Sequence, residues 1–199
     1  AASYIDLNNN TFVSSGLNID FDAAATNIKI YNNNITSTAA GNIEFGTTSG
    51  PVDIYSNPVI SGTGLNMNFV GNATTVNIYS NASITSTAGN ISFTGTVGSV
   101  SIYSNPIITG VGTNMNFTGA VTTLASIYSN AAITGTVTNF NFGAAVNALS
   151  LYSNTILGTP ANNLIVTGNL TGTNTVNTNT FTATANNLTF SGTANNLTL

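Results

Sequence analysis

The chain has 199 residues, 42% of them apolar but only 3% charged, with a formal net charge of −4 and a single cation, Lys29, whereas soluble domains carry about 25% charged residues. One lysine cannot neutralise a nucleic-acid backbone, the absence of His and Cys removes zinc sites and disulfides, and a charge of −4 is too small to steer partners. No apolar run is long enough for a membrane span or a signal-peptide core, so the chain is expected to start as a mature segment or an excerpt.

Residues 1–29 hold a charged first coil. Tyr4-Ile-Asp-Leu7 reads as a strand, and Asn18-Ile-Asp-Phe21 opens a pattern that recurs down the chain. All charges lie at or before residue 53: Asp6, Asp20, Asp22, Lys29, Glu44 and Asp53. Asp20 and Glu44 share an outward column, with Asp22 nearby. The leading reading is stacked acids on a solvated end coil; the alternative is a weak cation site, since carboxylate oxygens suit calcium. Asp6, Lys29 and Asp53 share another outward column with alternating sign, as expected for cross-coil pairing.

Residues 30–160 carry a regular repeat. The tetrad Ile-Tyr-Ser-Asn stands at Ile54–Asn57, Ile78–Asn81, Ile102–Asn105 and Ile127–Asn130, with variants at Ile30–Asn33 and Leu151–Asn154, in steps of 24, 24, 24, 25 and 24 residues. The second anchor gives a column of Phe21, Phe45, Phe69, Phe93, Phe117, Phe142, Val166 and Phe190. Its companion two residues earlier is Ile19, Ile43, Met67, Ile91, Met115, Phe140, Leu164 and Leu188. Period-two alternation, as in Val76-Asn-Ile-Tyr79 and Ile91-Ser-Phe93, predicts half-buried strands punctuated by Gly and Asn. Three short strands per copy bury a face only if copies stack, each strand pairing with its equivalent one coil on. This predicts an all-β, single-stranded parallel β-solenoid of about eight 24-residue coils, triangular in section. At ~4.8 Å per coil it forms a rod roughly 40 Å long.

The inward columns are Ile30, Ile54, Ile78, Ile102, Ile127 and Leu151; Ile60, Ile84, Ile108, Ile133 and Leu157; and the Phe pair. The extra residue near Thr122–Ser126 is expected in a loop between strand blocks. One Asn column is Asn33, Asn57, Asn81, Asn105, Asn130 and Asn154. The other is Asn18, Asn42, Asn66, Asn90, Asn114, Asn139, Asn163 and Asn187. Both are expected at corners, where Asn tolerates left-handed backbone and stacked amides can bond along the rod. Pro58 and Pro106 push Asn57 and Asn105 towards extended backbone, against a left-handed bend in those coils. Tyr31, Tyr55, Tyr79, Tyr103, Tyr128 and Tyr152 fall on the outward parity, as a stiffening ladder or, in the alternative, a contact stripe for proteins or glycans. Thr-x-Thr occurs at Thr85–Thr87 and Thr134–Thr136, with Ser61-Gly-Thr63 in the same column, broken by Ala39, Val111 and Pro160.

Residues 161–199 diverge into Asn162-Asn163-Leu164, Asn186-Asn187-Leu188 and Asn195-Asn196-Leu197, while the repeat still runs at Phe190. Neither end reads as a charged or helical cap, which predicts axial self-association, with lateral packing as a second mode. The chain has no catalytic constellation: a Ser or Thr nucleophile lacks a base, no carboxylate pair spans a cleft, and no cofactor motif occurs.

The three-strand coil, Phe/Ile stacks and Asn columns resemble right-handed parallel β-helices. The Asn/Thr/Gly-rich, Cys-free style is similar to autotransporter passenger regions and filamentous-haemagglutinin-type adhesins. The C-terminal Asn-Asn-Leu segments are similar to β-rich parts of phage tail fibres. The resemblance implies right-handed coiling, an extracellular or cell-surface location, and a structural rod, filament or layer that touches itself, cell surfaces or glycans. Alternatives are a viral fibre segment and an ice- or glycan-binding solenoid.

Overall fold

A computed structural model describes residues 4–47, 49–158, 162–183 and 187–199. Its described strands form three parallel sheets, and no helix occurs among the described residues. The first sheet stacks Ile5–Asn8, Ile28–Tyr31, Val52–Tyr55, Ala73–Tyr79, Val97–Tyr103, Val121–Tyr128, Leu149–Tyr152, Asn174–Asn177 and Leu197–Thr198. The second stacks Thr11–Ser14, Asn34–Ser37, Val59–Gly62, Ile84–Ser86, Ile108–Gly110, Ile133–Gly135, Thr155–Gly158 and Thr180–Ala183. The third stacks Ile19–Phe21, Ile43–Phe45, Met67–Phe69, Ile91–Phe93, Thr113–Phe117, Thr138–Phe142, Asn162–Val166 and Leu188–Phe190. The chain visits the sheets in rotation, so each strand pairs with the strand one coil away. The protein is a parallel β-solenoid, and the divergent C-terminal segment continues its sheets.

Alternation sends Ile30, Ile54, Ile78, Ile102, Ile127 and Leu151 into one core with the Phe column. The Phe rings from Phe21 to Phe142 stack at centroid spacings of 4.4–4.9 Å with interplanar angles of 3–11°. Like stacks on like because parallel, in-register pairing places equivalent residues side by side.

Three expectations are corrected. Ile156, not Leu157, pairs with Ile133 and lies in the core, while Leu157 is exposed. The corner after Asn154 is one residue shorter than that after Asn130, so a constant step lands on the wrong parity. The extra residue near Thr122 is absorbed as a β-bulge inside a strand: Val97 pairs with Val121, but Ser99 pairs with Leu124. A loop would interrupt the ladder, whereas a bulge restores register within two residues. Finally, the left-handed bend does not fall on the Asn columns. It falls one residue before the first of them, at Asn32, Ser56, Ser80, Ser104, Ser129 and Ser153, with φ of 54–56°. No residue from Asn18 to Asn187 in the second column has a positive φ among the described residues. The place of the bend is the same in coils with Pro58 or Pro106 and in coils with Asn34, Ala82, Ala131 or Thr155 at that position, so the proline fits the corner and does not set it.

Candidate functional surface

The fourteen Asn of the two columns form axial chains of amide hydrogen bonds, mostly in the interior. In the second column each Nδ2 from Asn18 to Asn163 donates to the Oδ1 one coil on, at 2.6–2.8 Å, ending at Asn187. Most of the same nitrogens also donate to a strand carbonyl, as Asn90 does to Thr109 at 2.9 Å. In the first column the Nδ2-to-Oδ1 chain runs from Asn57 to Asn179 at 2.8–3.2 Å. Backbone N–H groups join it: Asn33 N–H donates to Asn57 Oδ1 at 2.9 Å. Asn179 extends the column without the tetrad, and it stands two residues before Phe181, as Asn154 stands two before Ile156. Between the ends of the columns each Asn thus spends its donors and acceptor inside the rod, which offsets the cost of burying an amide.

The six tyrosines alternate with buried Ile or Leu and stay half-buried on the outer face. Their rings stack at 4.8–5.0 Å with interplanar angles of 1–5°. Each inner ring has both faces covered by its neighbours. The column therefore offers edges and hydroxyls outward, and the ring faces that a sugar stacks on are occupied. Burial pushes the Tyr79, Tyr103 and Tyr128 phenols above the usual value, with the Asp53 charge the next cause for Tyr79 and Tyr103. A raised folded value means the neutral phenol is favoured. The stack's stabilisation is full below about pH 10, the ordinary tyrosine value, and is lost as pH climbs through the folded value. Ultraviolet titration is expected to show these phenols ionising later than free tyrosine, with the melting temperature falling over the same alkaline range.

The acidic residues do not assemble into a ligand set. Asp20 and Glu44 are neighbours in register, but Glu44 Oε2 accepts from Asn68 Nδ2 at 3.2 Å. Desolvation raises the Asp20 carboxyl above its usual range, followed by the charge of Asp22 and a hydrogen bond between the two. Among the described residues, no three acidic groups converge for a metal. Asp6, Lys29 and Asp53 stand side by side, yet the carboxylates bond to amides: Asp6 to Asn8 and Asp53 to Asn77, each at 2.8 Å. The Lys29 ammonium lies 5.8 Å from the centre of the Tyr4 ring.

Structural register repairs the threonine columns. Thr36 pairs with Ser61, Ser61 with Thr85, Thr85 with Thr109 and Thr109 with Thr134. Two residues further along each strand stand Thr38, Thr63, Thr87, Val111 and Thr136. Ala39 is no interruption, because the corner after Asn33 is one residue short and Thr38 takes the place. Val111 remains a break, and Pro160 lies outside the described residues. The outer hydroxyls are anchored: Thr87 Oγ1 donates to Thr63 O at 2.9 Å, Thr38 Oγ1 to Ser14 O at 3.5 Å, and Thr136 Oγ1 to Val111 O. Between the two columns runs a buried column of small residues, including Gly62, Ser86, Gly110 and Gly135. A Cβ at Gly110 would meet Asn114 Oδ1 at 2.6 Å, so glycine gives the amide ladder room in that coil, whereas the coil of Ser86 accommodates a small side chain beside the same ladder.

Two shallow depressions mark the surface. One, of about 180 Å³, is lined by Ser61, Gly62, Thr85, Ser86, Thr87 and Thr109. The other, of about 360 Å³, is lined by Ser49, Asn72, Ala73, Thr74, Thr96, Gly98 and Thr122. Its position follows from the lengthened strands and the bulge, which the sequence periodicity alone did not locate. Both offer hydroxyls, backbone and, in the second, an amide, with no acid or base. No protein-family model, curated protein or solved structure matches the chain.

Proposed function

We propose that the chain is a non-enzymatic structural rod of an extracellular or cell-surface assembly, such as an adhesin shaft, filament or layer, and that it assembles by coil stacking. The observation that carries this reading is axial continuity. Three sheets, two amide chains and two aromatic stacks all run along one direction. Each strand of such a stack is a template for the next coil, whether of the same chain or of a second copy. The absence of charge after Asp53 leaves little repulsion between stacked copies. A viral fibre segment would use the same rod.

The isolated chain is expected to form rods of constant width whose length grows with concentration, seen by electron microscopy and sedimentation. Thr189→Lys with Thr198→Lys places charges on the last strands of the third and first sheets and is expected to shorten them. A monodisperse monomer at every concentration, unchanged by the lysines, overturns the proposal.

A further inference from the structure

We infer that Tyr4 and Tyr31 form an oxidative cross-linking site: their phenols share the Asp6 carboxylate and couple there into a dityrosine bridge between the first two coils. The Tyr4 hydroxyl donates to Asp6 Oδ2 at 3.4 Å, and the Tyr31 hydroxyl donates to the same atom at 3.5 Å. The other carboxylate oxygen accepts from Asn8 Nδ2 at 2.8 Å, which holds Oδ2 towards the phenols. Coupling joins the ring carbons ortho to the hydroxyls. Two hydroxyls that meet at one acceptor atom bring those carbons within reach of a side-chain rotation. Tyr4 is free to make it, because it is 51% exposed, precedes the first strand, and stacks on no other aromatic ring among the described residues.

The tyrosine column shows why this pair couples and its own neighbours do not. A bond between two phenol rings lies in the plane of both. The column's rings lie face to face, 4.8–5.0 Å apart and within 1–5° of parallel, so no such bond fits between them. Tyr31 is the last ring at its end. Asn8 takes the aromatic place one coil beyond it, so Tyr31 is stacked on one face only, against Tyr55. At the other end Asn177 takes the place after Tyr152, and no carboxylate stands in its strand.

The chemistry needs a base and a one-electron oxidant. A phenol that loses an electron must shed its proton, and a carboxylate in contact takes it in the same step. The Lys29 ammonium, 5.8 Å from the centre of the Tyr4 ring, disfavours a ring cation there and so requires that coupled loss. Asp6 is exposed and passes each proton to water. The two phenoxyl radicals then join through their ortho carbons, and the hydrogen on each of those carbons moves to the phenol oxygen. In sum two electrons and two protons leave, and a haem peroxidase takes them as it reduces hydrogen peroxide to water. The chain has no Cys, so a bridge of this kind is the covalent tie between coils that its side chains can make. Closing that loop constrains the unfolded chain as a disulfide does.

The site is complete on one chain, so the inference stands apart from axial assembly. The folded chain, treated at low concentration with a haem peroxidase and hydrogen peroxide, is expected to stay a monomer on a denaturing gel. It is expected to lose two hydrogens in mass and to gain dityrosine fluorescence, with peptide mapping joining Tyr4 to Tyr31. Tyr4→Phe, shown to be folded by circular dichroism, is expected to lose the bridge. Asp6→Asn keeps an acceptor oxygen but not the base, and is expected to slow bridging about tenfold or more. In denaturant the bridges are expected to scatter over other tyrosine pairs, because the fold selects this one. No dityrosine in the folded chain overturns the inference. So do bridges mapped within the column, bridges formed only between copies, or an Asp6→Asn variant that couples as fast as the unaltered chain.

Discussion

Asn105→Ala is expected to destabilise the rod by about 2–6 kcal/mol, because it strands two buried donors at about 1–3 kcal/mol each. Asn105 is fully buried, and its Oδ1 accepts from Asn81 N–H at 3.0 Å and from Asn81 Nδ2 at 3.2 Å. Its own Nδ2 donates to Ile78 O, Tyr103 O and Asn130 Oδ1 at 3.0–3.1 Å. Truncation breaks all five bonds and leaves a hole that an alanine methyl cannot fill. Asn10→Ala is the contrast, since Asn10 is exposed and water replaces its partners. Denaturant midpoints compare the two directly, and equal shifts would show the ladder to be incidental. Asn105→Asp adds a pH signature. A buried carboxyl is pushed above its ordinary value, so the folded state binds the extra proton, and stability falls as pH rises from about 4.

Phe93→Ala is expected to cost about 3–5 kcal/mol, the usual range for emptying a buried aromatic site. The ring is fully buried and stacked 4.7 Å from Phe69 and 4.8 Å from Phe117, so the neighbouring coils fix the space it leaves. A solenoid is held by contacts between adjacent coils, so a mid-rod defect also divides its cooperativity. Hydrogen exchange is expected to show amides before and after the third-sheet strand Ile91–Phe93 opening in separate steps. Phe21→Ala, in the first coil and partly wet, is expected to cost less. A single undivided transition with a shift no larger than that of Phe21→Ala would count against the stacked core.

The regular parts of this fold were legible because each element repeats a residue type at one place in the coil. The Phe and Tyr columns differ in parity from their neighbours by hydrophobicity alone, so Ile78 inward and Tyr79 outward could be read directly. Leu157 was misread because both it and Ile156 are aliphatic. The deciding signal was Gly158, which continues the small column of Gly110 and Gly135. The candidate acidic site was legible only as composition, since a shared column does not say where carboxylates turn. Glu44 accepts a hydrogen bond from Asn68 one coil on, which the shared column does not announce.

The sequence by itself determined the period, the number of strands per coil and which side chains face the core. Those follow from the two-residue alternation of a strand and from the need of an isolated coil for neighbours. Only the tertiary structure decided where each corner bends, how the odd-length coils are absorbed, and that the Asn columns lie inside the rod. A backbone corner takes its shape from hydrogen bonds to coils about 24 residues away, such as Asn33 N–H to Asn57 Oδ1, and its left-handed residue falls just before the column Asn, as at Ser56. One shortened corner then moves the second-sheet strand after it by one place, and the next corner restores the step, since Ile43 again pairs with Met67, 24 residues on. That is why Thr38 stands where a constant step puts Ala39, and why the threonine columns line up only in three dimensions.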